Sequence, residues 1–333
     1  MLERKGLKIL DWLVHSAHQY ELAKTGHSFY YVQDTIEYPW KFNIRPQPAN
    51  AKFITQYDPD DFDIIITHNA NQIRQIKAWK ELGMLSKDKP IIFMFHFCPN
   101  NSDDEKTFMQ ELVKGCYLVF NSYECQKQWD MNNDSQRTII HGFDIDEWPR
   151  WKGGINKVLS VGGRIGDRYH VSGYKLWEKV ADIIGHDRVF IMGSHWDKMK
   201  AWEKEIVRLS DSWQDLKSTL QNHDVYFSPT KESPFPRARS EAFLTGMPMV
   251  TTPNHNANLF IEHGINGFIA EEKEECVFFL KLLLNNSDLR QKFSKNAREK
   301  AEVVFNGRRY RREWNNFLEW ILYDNRKLYR EAL

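Results

Sequence analysis

Arg164 follows the run 158–163, Val-Leu-Ser-Val-Gly-Gly, whose apolar, β-favouring start and glycine end place a guanidinium just past a strand. A fork of donors in that position suits an anion with several oxygens, such as a diphosphate. Arg168 follows as a second cation, with a plain structural role equally open to it. Glu241 falls in the helix-like run that starts at Ser240. A carboxylate there can accept both hydroxyls of a ribose, or it can balance the helix dipole as a capping group. Arg237 and Arg239 either add positive charge or face solvent, as most arginines do. The loop amides around Phe235 and Arg237 would face a polar ligand. His96 follows the apolar run 91–95 and precedes Phe97-Cys-Pro-Asn100, so an imidazole stands at a strand's carboxyl end. It serves a ligand there or is satisfied by local backbone. His15 and His18, near the end of the first strand, either help shape a pocket or cap the next helix, and for His15 capping is the simpler reading.

Other spacings do not hold together as sites. His15-x-x-His18 has no third ligand at a recognisable spacing, which argues against zinc. Asp58-Pro-Asp60 and Asp144-Ile-Asp146 have an acid-x-acid spacing that can hold Mg or Mn, but each stands beside turn residues. The glycines before Arg164 are not the G-x-G-x-x-G of a dinucleotide fingerprint. The expectation is therefore no metal and no cofactor. Four cysteines without C-x-x-C spacing, in a chain of 333 residues, suit a reducing cytosol. A formal net charge of +1 gives no global field to draw nucleic acid or an acidic membrane. No run of about 18 apolar residues is present, so the chain is expected to be soluble or at most peripheral, and cytoplasmic.

The elements that must position these residues alternate in the manner of βαβ units and parallel sheets. Strands are expected at 8–13, 28–32, 63–67, 91–95 and 118–121, with helices at 73–82 and 104–115. The pattern restarts after Trp148-Pro-Arg-Trp-Lys-Gly-Gly154, with strands at 158–163, 189–193, 225–228 and 249–252. A proline and two glycines between the blocks suit an interdomain linker. Trp314, Phe317, Leu318, Ile321 and Leu322 recur with helical period, so the last segment should pack on something. The Gly307–Arg312 run, with its four arginines, reads as a solvated face.

The stretch 224–271 resembles the donor-binding signature of the retaining GT-B glycosyltransferases of the group 1 type. In that family two glutamates bracket seven residues, and a small-residue helix, Gly-x-Pro, a strand and a Gly-x-x-Gly-Phe turn follow. Glu232, Glu241, Gly246-Met-Pro248, Val250-Thr-Thr252 and Gly264-Ile-Asn-Gly-Phe268 occupy those places in order. The likeness extends more thinly over most of the chain. Val161-Gly-Gly-Arg164 resembles the turn that opens the family's second domain, and Phe120-Asn-Ser122 with the run 140–144 resembles the strands closing its first. Phe93-Met-Phe-His96 resembles its strand ending in histidine, and the last helix resembles the one that crosses back onto the first domain.

The resemblance implies an α/β, GT-B architecture of two doubly wound Rossmann-like domains facing a central cleft. Residues 1–150 would form an acceptor-side domain, 151–310 a nucleotide-sugar domain, and 311–333 a helix packing back on the first. It implies a metal-independent retaining transfer of a sugar from a nucleotide-diphosphate sugar to an acceptor hydroxyl. His96 and Glu232 would be catalytic, Arg164, Arg168, Glu241, Phe235 and Arg237 would bind donor, and His18 would lie on the acceptor side. Two departures bear on the roles. Eight residues separate the glutamates, which leaves Glu232 or Ser233 to face the donor. Ser172 stands where the family's lysine is expected, so Arg168 or Lys175 would supply the second phosphate contact. The altered spacing also leaves open a catalytically silent sugar-nucleotide binding module, and the same fold would serve a sugar-nucleotide epimerase or hydrolase. The acceptor classes left open are a glycan, a lipid-linked sugar and a modified DNA base. The last would be met through Arg308, Arg309, Arg311 and Arg312, although near-neutral charge counts against extensive nucleic-acid contact.

Overall fold

A computed structural model describes residues 6–33, 39–99, 103–131, 133–254 and 256–331, with the backbone alone over 325–331. The chain divides into two compact units, Met1–Gly142 with Gly307–Leu333, and Phe143–Asn306. The sequence-based divisions were drawn at 150/151 and 310/311. The segment 148–154 is not a linker, because Trp148 and Trp151 are buried and belong to the second unit. Trp151 donates its backbone N–H to Thr245 O at 2.8 Å and its indole N–H to His223 O at 2.7 Å. Two buried indoles hold this stretch more firmly than its glycines loosen it.

The first unit is built on seven parallel strands: β1 (Lys8–Trp12), β2 (Ser28–Val32), β3 (Ala51–Ile54), β4 (Ile64–Thr67), β5 (Ile91–Phe95), β6 (Tyr117–Phe120) and β7 (Gln136–Thr138). Their order across the sheet is β3-β2-β1-β4-β5-β6-β7. β4 and β5 are buried along their whole length, which is why they read as unbroken apolar runs rather than as alternation. One face of the sheet, with Ile9, Phe29, Tyr31, Ile64 and Met94, packs with Tyr310, Trp314, Phe317, Leu318 and Ile321 of the helix Gly307–Glu331. Each such fully buried side chain contributes about 1.5–3 kcal/mol of transfer free energy. The other face, with Leu10, Ile65, Phe93 and Phe120, packs with Ile73, Met109 and Trp129 of three crossover helices. The Gly307–Arg312 run is not wholly solvated. Arg309 donates to the carbonyls of Ile140 and His141, and Tyr310 is buried.

The second unit has six parallel strands: β8 (Val158–Val161), β9 (Val189–Met192), β10 (Val207–Arg208), β11 (Val225–Ser228), β12 (Met249–Thr251) and β13 (Phe268–Ile269), ordered β10-β9-β8-β11-β12-β13. Both orders contain the 3-2-1-4 arrangement of dinucleotide-binding sheets. The helix Arg237–Thr245 follows β11 and ends at Gly246, whose φ of 80° supplies the left-handed C-cap. Among the described residues no helix is long and apolar enough to cross a membrane.

Candidate active site

In sheets of this kind ligands bind beyond the carboxyl ends of the strands, where the strand order reverses. In the first unit that point lies between β1 and β4. His68 is the first residue after β4 and His96 the first after β5. Asp11, fully buried in β1, pairs in register with Ile66. Its carboxylate Oδ1 lies 2.6 Å from His68 Nε2, and His68 Nδ1 lies 2.8 Å from His96 Nε2. His96 is partly exposed. Loss of hydration, reinforced by His68 and His15 nearby, pulls the His96 imidazole well below its ordinary pKa. A neutral ring offers one donor and one acceptor. His18, in the helix Ser16–Ala23, is buried with its ring edge-on to His96 at 5.3 Å and to His141 at 5.1 Å. His15 caps that helix, its Nδ1 accepting the His18 N–H at 3.3 Å.

Sequence reasoning passed over Asp11 and His68. The signal was an aspartate inside the otherwise apolar strand Lys-Ile-Leu-Asp-Trp, where a buried carboxylate must find partners. Of the acid-x-acid pairs, Asp58 and Asp60 are spent on a turn: Asp58 accepts the Asp60 N–H at 2.9 Å, and Asp60 pairs with Lys89 at 3.2 Å. Asp144 and Asp146 flank and enter the one-turn helix Ile145–Glu147.

In the second unit the order reverses between β8 and β11. The loops leaving these two strands are stitched together. The backbone N–H groups of Lys231 and Glu232 both donate to Val171 O, at 2.9 and 3.1 Å. Gly173 abuts the exit of β11 so closely that a Cβ on it would lie 1.7 Å from Pro229 O. Arg164, with a left-handed φ of 49°, follows the β8 glycines. Its side chain is 58% exposed, with Nε 2.7 Å from Asp167 and Nη2 3.8 Å from Asp197. Arg168 is exposed at the start of the short helix Tyr169–Ser172 and makes no ion pair among the described residues. Lys175 lies over the Tyr169 ring at 5.0 Å. Ser172 donates its hydroxyl to Ile165 O at 2.6 Å, so it braces the loop rather than offering charge.

Glu232 is exposed on the loop after β11, with Ser233 half-buried beside it. Phe235 is buried edge-on to Phe305. Of the two readings open for Arg237 and Arg239, the solvent-facing one fails for both. Arg237 lies over the Phe143 ring at 4.6 Å and pairs with Glu241 at 3.1 Å, their side chains 10% and 7% exposed. Arg239 is 1% exposed, and desolvation pulls its pKa down to about 10. The helix begins at Arg237, earlier than expected, so Glu241 stands beyond the first-turn amides that a capping glutamate serves. The N-cap residue, Pro236, makes no side-chain cap bond. His255 of the signature stretch, and Asn100 after His96, lie outside the described residues.

Residues 195–300 match the family described as glycosyl transferases group 1. No curated protein sequence matches the chain. Among solved structures, HepE of Anabaena, crystallised with UDP and glucose, superposes with a TM-score of 0.75 at 15% identity, over 94% of this chain and 99% of that one. The sucrose-phosphate synthase of Thermosynechococcus elongatus is similar with a TM-score of 0.68 at 12% identity, over 98% of this chain and 99% of its own. A glycosyltransferase from Rickettsia africae is similar with a TM-score of 0.68 at 12% identity, over 95% and 99% of the two chains. Residues 195–300 are thus similar to a group 1 glycosyl transferase domain, set in a chain whose fold is that of GT-B proteins.

Proposed function

We propose that the protein moves a sugar from a nucleotide-diphosphate sugar to an acceptor hydroxyl, with retention at the anomeric carbon and without a metal ion. Glu241 carries this reading. It is a buried carboxylate one turn into the helix after β11, beyond the reach of a capping role and beside the strand-order reversal where nucleotides bind. A ribose diol suits it, since one carboxylate accepts two hydroxyls side by side. The fold likeness to HepE, crystallised with UDP and glucose, supports a nucleotide donor.

Breaking the bond between the anomeric carbon and the β-phosphate oxygen leaves negative charge on the diphosphate. Arg164, Arg168 and the backbone amides at the start of the helix Arg237–Thr245 are the groups to meet it. Phe235 shapes the loop that brings those amides round. Glu232 grips sugar hydroxyls and opposes positive charge at the anomeric carbon, which a carboxylate does better than Ser233. As the new bond to the acceptor oxygen forms, its proton passes to the departing phosphate oxygen, so no protein nucleophile is needed. His96 bonds a hydroxyl of the reacting sugars, and His18 lines the acceptor side. A cytoplasmic location suits the donor.

The test is turnover across UDP-, GDP- and ADP-sugars, read as released nucleoside diphosphate with and without glycan acceptors. Acceptor-dependent release supports the transferase. Release without acceptor marks a hydrolase, and no release from any donor overturns the reading.

A further inference from the structure

We infer that Asp11 and His68 are positioning residues that hold His96 as its Nε2–H tautomer, leaving Nδ1 as the acceptor for a sugar hydroxyl. The inference rests on the transferase reading for the hydroxyl; the tautomer stands on the hydrogen-bond geometry with each ring singly protonated. It begins at Gln19, whose orientation is fixed. Its Oε1 accepts the backbone N–H groups of Val14 and His15, at 3.1 and 3.2 Å. Its Nε2 must therefore donate, and does so to Asp11 Oδ2 at 2.9 Å and to Trp12 O at 2.8 Å.

Asp11 thus spends one carboxylate oxygen on Gln19 and turns the other to His68 Nε2. A carboxylate only accepts, so His68 carries its proton on Nε2. The Nδ1 of a neutral His68 is then a bare lone pair. His96 Nε2, 2.8 Å away, must supply the proton for that bond. One proton is left for each ring, and Nδ1 of His96 is the free acceptor. No hydrogen bond reaches that nitrogen from the described residues, and the His96 side chain is partly exposed. The burial and the neighbouring rings that lower the His96 pKa keep it in this single-proton state. The titratable groups facing the chain from the packed elements are His15, which caps the first helix, His18 from that helix, and Tyr31 from β2.

The same logic predicts what Asp11→Asn does. Because Gln19 presents N–H, the asparagine must turn its oxygen to Gln19 and its NH₂ to His68. His68 Nε2 must then accept, its proton moves to Nδ1, and His96 receives that bond at Nε2. The His96 proton moves to Nδ1, and the acceptor becomes a donor. A wrong tautomer behind an intact geometry is the known consequence of such a change next to a catalytic histidine.

The experiment uses the full chain labelled with ¹⁵N in histidine, with the His96 and His68 ring signals assigned by His96→Gln and His68→Gln. In wild type His96 is expected to show a protonated Nε2 and a bare Nδ1, and in Asp11→Asn the reverse. Turnover of Asp11→Asn should fall by about 10- to 100-fold in kcat, with donor KM changed little. A wild-type His96 protonated at Nδ1, or a doubly protonated His68, overturns the inference even if Asp11→Asn fails to fold. Correct tautomers with unchanged kcat in Asp11→Asn refute the positioning role and leave the transferase reading standing. Correct tautomers with no turnover of any donor by the wild type refute the transferase reading instead.

Discussion

Replacing Glu241 by glutamine separates the two jobs its carboxylate can do. The wild-type side chain is 7% exposed, and its partner Arg237, 3.1 Å away, is 10% exposed. Glutamine keeps an oxygen for Arg237 but removes the counter-charge. The loss of stability should approach about 3 kcal/mol, the low end of what removing one partner of a buried pair costs. The loss of donor affinity has a different origin. Charge-assisted bonds to two ribose hydroxyls become neutral ones, each weaker by about 1 kcal/mol. Together that is about 2 kcal/mol, or ~30-fold in the Kd for the nucleotide. Urea unfolding reads the first quantity, and calorimetric titration with the nucleoside diphosphate reads the second, at a temperature where the variant is fully folded. If Glu241→Gln loses stability yet binds nucleotide with unchanged Kd, the carboxylate serves only as the counter-ion of Arg237 and the ribose role is wrong.

Arg164→Ala should lower turnover by about 10²-fold or more, since it removes a contact that strengthens as the diphosphate leaves. Its unfolding midpoint should barely move, because the ion pairs of a side chain 58% exposed are screened. Near-normal kinetics in Arg164→Ala alongside a damaged Arg168→Ala would transfer the phosphate role to Arg168. Glu232→Gln should reduce turnover at least ~10-fold with folding intact, and Ser233→Ala should be mild. A donor complex with Ser233 on the sugar and Glu232 in solvent would contradict that. Gly173→Ala places a Cβ against Pro229 O at a φ of 74°, so the Tm should fall, by about 1–3 kcal/mol of stability, and donor binding should weaken. An unchanged Tm would show that the two loops part without cost.

The nine strands expected from apolar runs are all present within a few residues, β2, β5 and β11 with the bounds that the sequence suggests. The four that escaped, β3, β7, β10 and β13, are the four sheet edges. Edge strands are short and half-exposed, and Gln136–Thr138 carries no buried residue, so the hydrophobic signal that marks a central strand is missing. The linker was misplaced because Pro149 and the two glycines are local signals, while the anchoring of Trp148 and Trp151 is tertiary. Arg237 and Arg239 read as surface because arginine usually is. Their burial depends on Glu241, Thr251 and two aromatic rings that only the fold brings near. The signature residues were legible as a motif, yet the Asp11–His68–His96 chain was not. Its members lie in β1 and just past the ends of β4 and β5, and no spacing along the sequence records that these three strands are neighbours.

The most direct test of the account is calorimetric titration of the full chain with UDP, GDP and ADP in the presence of EDTA. One of the three should bind saturably at a single site, unaffected by the chelator. At ~100 times its Kd it should raise stability by about 2.7 kcal/mol. Binding of none of them, or binding that appears only when Mn is restored, would contradict a metal-independent nucleotide-sugar site in this protein.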